Sequence, residues 1–169
     1  MEFAYYRAEW LPILRAQEND LRSEGFTAED CLKIGTIMHR LAREKYKRAC
    51  SFRIVTKGQT TFSFLMDGTD MNNEWWMDKK LNTCRLTGMS SLRTLVETAE
   101  SAYPMEPEFE IENNYALCGG CFPVKNAESK ITAYVLCSGM PHECDHQLIA
   151  DALAELLGKE VPGIREEEG

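Results

Sequence analysis

Cys118-Gly119-Gly120-Cys121 sets two thiols at the spacing of a redox dithiol or of half a zinc site. A reactive dithiol needs a lowered thiol pKa, which a helix N-terminus usually supplies. Pro123 biases Phe122 away from the helical region, so no helix is expected to start behind this pair. The zinc alternative continues to His142-x3-His146, but twenty residues and a complete expected strand lie between the two halves. Closed tetrahedral sites normally sit on two short knuckles. What remains is a tight Gly-Gly turn between small residues, where backbone amides can face a ligand.

Two further segments carry chemistry. In Gly68–Lys80, helical spacing puts Trp75 with Lys79 on one face, and Trp76 with Lys80 on the next. An indole stacks on a flat ligand, and an ammonium pairs with a carboxylate or phosphate. The competing reading is core tryptophans beside solvated lysines. Ser138–His146 leads from a strand end into a helix start, a common ligand-facing position. There Asp145 can orient a histidine or complement the helix dipole, and His146 can ligate iron, act as an acid or base, or pack in the core. His39, in mid-helix, reads as structural or exposed. No P-loop, Rossmann or G-x-S-x-G signature is present.

The elements that must position these residues follow from periodicity. Apolar residues at helical spacing predict a helix within 5–22, and Thr27 with Asp30 caps another that runs to about Lys45. Alternation across Ser51–Thr56 and up to Met66, about a Lys57-Gly58-Gln59 turn, predicts a hairpin. Helices are expected over 72–86, from Ser90 or Ser91 to Ala99, and over 143–157, the last stopped by Gly158. Strands are expected over 115–117 and 131–138, with an extended Phe122-Pro123-Val124 between them. The proline- and glutamate-bearing segment 103–113 reads as a surface connection. This order fits an α/β (α+β) domain with helices on both faces of an antiparallel sheet.

The chain has 169 residues and a formal net charge of −8, with 44% hydrophobic residues and seven cysteines. That length suits one domain spanning 1–169, with an N-terminal helix inside 1–24 and an acidic tail over 159–169. The acidic balance argues against nucleic acid or an anionic membrane as partner. No stretch reaches the length of a membrane span, and the N-terminus lacks the pattern of a signal peptide. A cytoplasmic protein with reduced thiols is the expectation.

Taken together, Phe26-Thr27-Ala28-Glu29-Asp30 with Lys33-Ile34-Gly35, Gly68-Thr69 with Asn73-x-Trp75 and Lys79-Lys80, Leu117-x-Gly119-Gly120-x-Phe122-Pro123-Val124, and Ser138-Gly139-x-Pro141 with Asp145-His146 resemble the haem-degrading-domain family. These are small uncharacterised proteins related to the HbpS and GlcG haem-binding type, and the resemblance covers about residues 20–158. It implies a profilin-like three-layer α/β/α sandwich, an antiparallel sheet of about five strands, and a homo-oligomer. It also implies a small anionic ligand, haem or another planar cofactor. The pocket would be drawn from Trp75, Lys79, Lys80, Gly119, Gly120, Phe122, Asp145 and His146. No resident metal is expected, no clear catalytic constellation is present and the catalytic residues are left open, so haem degradation rests on the resemblance alone. Two alternatives stand beside it: a non-catalytic oligomeric interaction or adaptor module, and a thiol or zinc protein using Cys118 and Cys121.

Overall fold

The computed structural model describes residues 3–101 and 114–164, so the segment 103–113 and the Glu166–Glu168 run of the tail lie outside the described residues. Helix α1 (Trp10–Asp20) is followed by α2 (Ala28–Leu41), which Thr27 and Asp30 start as a reciprocal capping box. A π-helical turn, Ala42–Tyr46, ends it at Lys47 in the left-handed region. Strands β1 (Ser51–Thr56) and β2 (Gln59–Leu65) form the expected hairpin. Its two turn residues, Lys57 and Gly58, both have positive φ, the geometry whose twist matches paired strands. Helices α3 (Met71–Thr87) and α4 (Ser91–Glu100) come next, then β3 (Cys121–Lys125), β4 (Ile131–Ser138) and α5 (His142–Leu157).

Four antiparallel strands are found among the described residues, in the order β2-β1-β4-β3, where the resemblance implied about five. The strand expected at 115–117 does not form. Ala116 is instead tied to α3, its N–H donating to Thr83 Oγ1 (2.9 Å) and its carbonyl accepting from the same hydroxyl (2.7 Å). Pairing begins at Cys121, and Pro123 is tolerated because β3 is an edge strand.

Alternation divides the sheet's side chains between two faces. Phe52, Ile54, Phe122, Val135 and Cys137 pack under α2 and α5. Val55, Cys121 and Leu136 pack under Met77, Leu81 and Cys84 of α3. This is a three-layer α/β/α sandwich. The apolar face of α1, with Trp10 and Leu14 buried, is covered inside the chain by Leu92, Leu95 and Val96 of α4. The N-terminal helix therefore does not present that face to a partner.

Candidate functional site

The starts of α3 and α5 and the end of β4 converge on a cleft of about 370 Å³. Its walls are Asn72, Asn73 and Trp76 from α3, and Ser138, Gly139 and Met140 from the β4–α5 turn. Its floor holds Lys80 and Asp145, with Cys118 and His142 at the side. Two helix N-termini thus point their positive ends at one polar hollow. Asp70 and Asn73 cap α3 reciprocally, whereas α5 begins at Pro141 without a side-chain cap.

Lys80 and Asp145 form a buried ion pair, Nζ to Oδ2 at 3.1 Å, with each side chain only 3% exposed. The ammonium also donates to the Cys137 carbonyl at 3.2 Å. Asp145 Oδ1 accepts from the Met140 N–H at 3.0 Å and from the Cys137 thiol at 3.6 Å. Burial raises the Asp145 pKa to about 6, even though Lys80 and these donors pull the other way. Burial works against the Lys80 charge, but Asp145 and the nearby thiols outweigh it and hold the pKa above its ordinary value. Both groups are therefore charged at neutral pH.

Gly119 and Gly120 form the wall behind this pair. Gly120 has φ of +132°, and a Cβ there would sit 2.4 Å from the Cys137 carbonyl oxygen and 2.6 Å from Lys80 Nζ. Gly119 lies against the first residue of α5 and donates its N–H to His142 Nδ1 at 2.9 Å. That bond fixes the imidazole tautomer. Nδ1 must accept, so Nε2 carries the proton and donates to the Tyr5 carbonyl at 2.7 Å. Burial also lowers the His142 pKa, in keeping with a neutral ring.

The residues expected to form one pocket are divided among three places. Lys80 and Asp145 line the cleft, with Gly119 and Gly120 packed behind them. Phe122 and His146 lie on the core side, both fully buried, their ring centroids 5.8 Å apart. His146 donates from Nε2 to Gln17 Oε1 at 2.7 Å, since both donors of the Gln17 amide nitrogen's side already serve Gln147 and the Pro162 carbonyl. Its Nδ1 has no hydrogen-bond partner among the described residues, and burial lowers its pKa to about 3. Trp75 and Lys79 meet outside the cleft, Trp75 exposed and Lys79 buried, and the ammonium lies 4.6 Å from the Trp75 ring and 5.0 Å from that of Trp76. Trp76 is the indole that lines the cleft. One residue, 100° of helix, separates the two tryptophans, and helical spacing alone does not say which turns inward.

The cysteine pair is split as well. Cys118 lines the cleft, while Cys121 is buried under α3 and donates its backbone N–H to Ser91 Oγ. Among the described residues, the one metal-like group of three is Cys50, Cys137 and Asp145, within 4.8 Å of one another. Lys80 already supplies positive charge to that carboxylate, and burial drives the Cys137 pKa well up, which keeps its thiol protonated.

A family model of haem-degrading HbpS-like proteins matches residues 26–154. The chain belongs to that family. A UPF0303 protein of Psychromonas ingrahamii is 28% identical over 148 residues, 87% of this chain and 92% of the relative. One from Sinorhizobium medicae is 30% identical over 143 residues, 84% and 87% of the two chains. Among solved structures, the Ybr137w protein superposes with a TM-score of 0.77 at 20% identity, covering 93% of this chain and 98% of that one. HbpS does so at 0.62 and 21%, covering 81% and 93%. PduOC, solved as a haem complex, gives 0.65 at 14%, covering 77% and 94%. At these identities the structural likeness establishes the shared fold.

The family name makes haem the cofactor to test against the residues present. A histidine that ligates a metal through one nitrogen donates the N–H of the other to an acceptor. His142 has the reverse arrangement, because its Nδ1 faces a backbone donor. Ligation through Nε2 would set two N–H groups against each other. His146 has the suitable tautomer, but its Nδ1 is sealed in the core. Imidazole ligation of haem iron therefore does not fit this cleft. No helix among the described residues is long and apolar enough to cross a membrane.

Proposed function

We propose that this chain is a small-ligand-binding protein whose site is the Lys80–Asp145 cleft, and that its ligand is a small anion with a planar group. One observation carries the reading: a buried ammonium lies at the floor of a polar cleft at the converging N-termini of α3 and α5. Lysine has three N–H donors, and two of them serve the Cys137 carbonyl and Asp145, which leaves one for an occupant. Trp76 gives the cleft an aromatic wall on which a flat group can stack. Haem falls within this class as a planar dicarboxylate, and the family name and the haem complex of PduOC support testing it. Its attachment here would rest on charge and stacking rather than on a histidine–iron bond.

The test titrates the protein with benzoate, iron-free protoporphyrin and hemin. Asn73→Asp is the informative variant. A carboxylate keeps the acceptor that receives the Asp70 N–H and suits the first turn of α3, so the fold is retained. It also adds a negative charge to the cleft wall and should weaken each anion roughly tenfold. Equal affinities of wild type and variant for all three probes would reject the site.

A second reading, self-association, has its own observation. Edge strand β2 (Gln59–Leu65) carries no charge and no proline, and it leaves Phe64 and Leu65 exposed. Unprotected edges of this kind invite pairing with another strand. Exposed Met71 and Trp75 on α3 add apolar surface. We infer a homo-oligomer, which native mass spectrometry should show as a single mass above the monomer that Leu65→Lys lowers. A monomeric wild type would refute it.

A further inference from the structure

The floor of the cleft has a property that an anion site of ordinary exposed lysines lacks. Its single ammonium is already neutralised by a carboxylate at 3.1 Å, and each side chain is only 3% exposed at the floor of the cleft. An anion that takes the third Lys80 donor therefore enters beside a second negative charge. Two carboxylates sharing one buried ammonium repel each other, and the lowest-energy arrangement protonates one of them. The ligand keeps its contact with solvent through the open cleft, whereas Asp145 is only 2% exposed. Asp145 is thus the better proton acceptor of the two.

We propose that an anion binds in this cleft together with one proton, which Asp145 takes up as Lys80 turns its charge to the ligand. The step leaves the local charge unchanged: one anion and one proton enter, and no covalent bond is made or broken. This inference rests on the anion-site reading above.

The groups that face Asp145 are consistent with it. Lys80 comes from α3, the Cys137 thiol from β4, and the Cys50 thiol from the residue before β1. Cys118, in the turn before β3, acts on Lys80, and so does His142, one turn earlier on α5. The Cys137 thiol, held protonated by burial, is a neutral donor to Asp145, and His142 is held neutral by its Gly119 bond. None of them supplies a second positive charge to hold an ionised Asp145 once Lys80 is engaged. A carboxyl that already titrates near 6 needs only a modest push to stay protonated at neutral pH.

The sign of the pH dependence follows. Below about pH 6 Asp145 already carries its proton, and binding takes up little. Above that, each anion brings about one proton, and the dissociation constant rises roughly tenfold per pH unit until the pKa of the complex is passed. A site whose lysine simply met the anion, with Asp145 ionised throughout, would exchange no proton and show no slope over this range.

Isothermal titration calorimetry with benzoate, in imidazole and in bis-tris, counts the protons directly because the two buffers release them with different heats. Wild type should take up close to one proton per benzoate at about pH 7.5 and only a fraction of one at about pH 5.5. Asp145→Asn, neutral from the outset, should bind with no uptake and no slope. The wild-type count alone decides the matter if that variant fails to fold. Benzoate bound at about pH 7.5 without proton uptake would overturn the proposal and leave the site standing. No binding of benzoate, protoporphyrin or hemin at any pH would overturn both.

Discussion

Asp145 and His146 are neighbours on one helix turn, and they end in two different kinds of polar interior. Asp145 turns toward the cleft, paired with Lys80 beside space that a ligand can enter. His146 turns into a closed seam in which Gln17, Gln147 and the Pro162 carbonyl bond to one another. That seam runs on from Gln147 to Asp151, which Tyr46 and Lys45 hold at the surface. Burial shifts both groups toward their neutral forms, raising the carboxyl and lowering the imidazole. Only one of them has an accessible neighbour to act on. A perturbed pKa marks a place where charge is costly, and the adjoining space decides whether that cost serves a ligand or only the fold.

The largest expected effect comes from breaking the cleft's own balance. Lys80→Met leaves a buried carboxylate unpaired and should cost roughly 3–5 kcal/mol at neutral pH, measured by urea denaturation. Removing both charges, in Lys80→Met with Asp145→Leu, should recover most of that loss. A single variant as stable as wild type would show that the pair is not buried as described.

Next is the wall between the two regions. Gly120→Ala forces a Cβ against the Cys137 carbonyl at a φ that disfavours side chains. It should cost about 2–4 kcal/mol, again by urea midpoint. A loss below about 0.5 kcal/mol would mean that the wall can shift, and that the cleft and the seam are not separate.

The two shifted groups should then separate by pH. His146 has a folded pKa below its unfolded value, so the unfolded chain binds the extra proton and stability falls as pH drops below about 6.5. Between about pH 7.5 and 5 that contribution is a loss of about 2 kcal/mol. Asp145 has a raised folded pKa, so its contribution is present at low pH and is lost as pH rises through about 6. His146→Gln should keep the bond to Gln17 and reduce the loss of stability over this range by about 2 kcal/mol, leaving the opposing Asp145 trend beside that of His142, whose pKa burial also lowers. An unchanged slope would contradict the assignment.

The smallest effect distinguishes the two tryptophans. Trp75, 49% exposed, should cost about 1 kcal/mol or less when changed to Ala, through its lost contact with Lys79. Its removal should leave benzoate and protoporphyrin affinity unchanged, while Trp76→Phe weakens protoporphyrin severalfold. The reverse ranking would move the aromatic wall outside the cleft.

How much of this was legible in the sequence depended on the range of the interactions. The capping box at Thr27 and Asp30, the Lys57-Gly58 turn and the Gly158 stop depend on a few adjacent residues, and the helices and hairpin follow from them. Lys80, Asp145 and the two glycines were found by their chemistry and setting. The strand expected at 115–117 failed because its backbone bonds go to Thr83, 33 residues away, which no local pattern encodes. The choice of Trp76 over Trp75, and of His142 rather than His146 at the cleft, depends on how α3 and α5 are rotated against the sheet. A residue's own neighbours in sequence do not carry that angle. His142 did have one signal, a position directly after Pro141 at a helix start, where a side chain is free to turn back toward the preceding turn.

Backbone amide shifts in a two-dimensional NMR titration with benzoate compare the two regions in a single experiment. Saturable shifts are expected only at Asn72 and Asn73, Lys80, Gly119 and the run from Gly139 to Glu143, with Gln17, His146 and Gln147 unmoved. Shifts centred instead on the apolar groove of Leu32, Ile37 and Leu156, or on no contiguous set of residues, would contradict it.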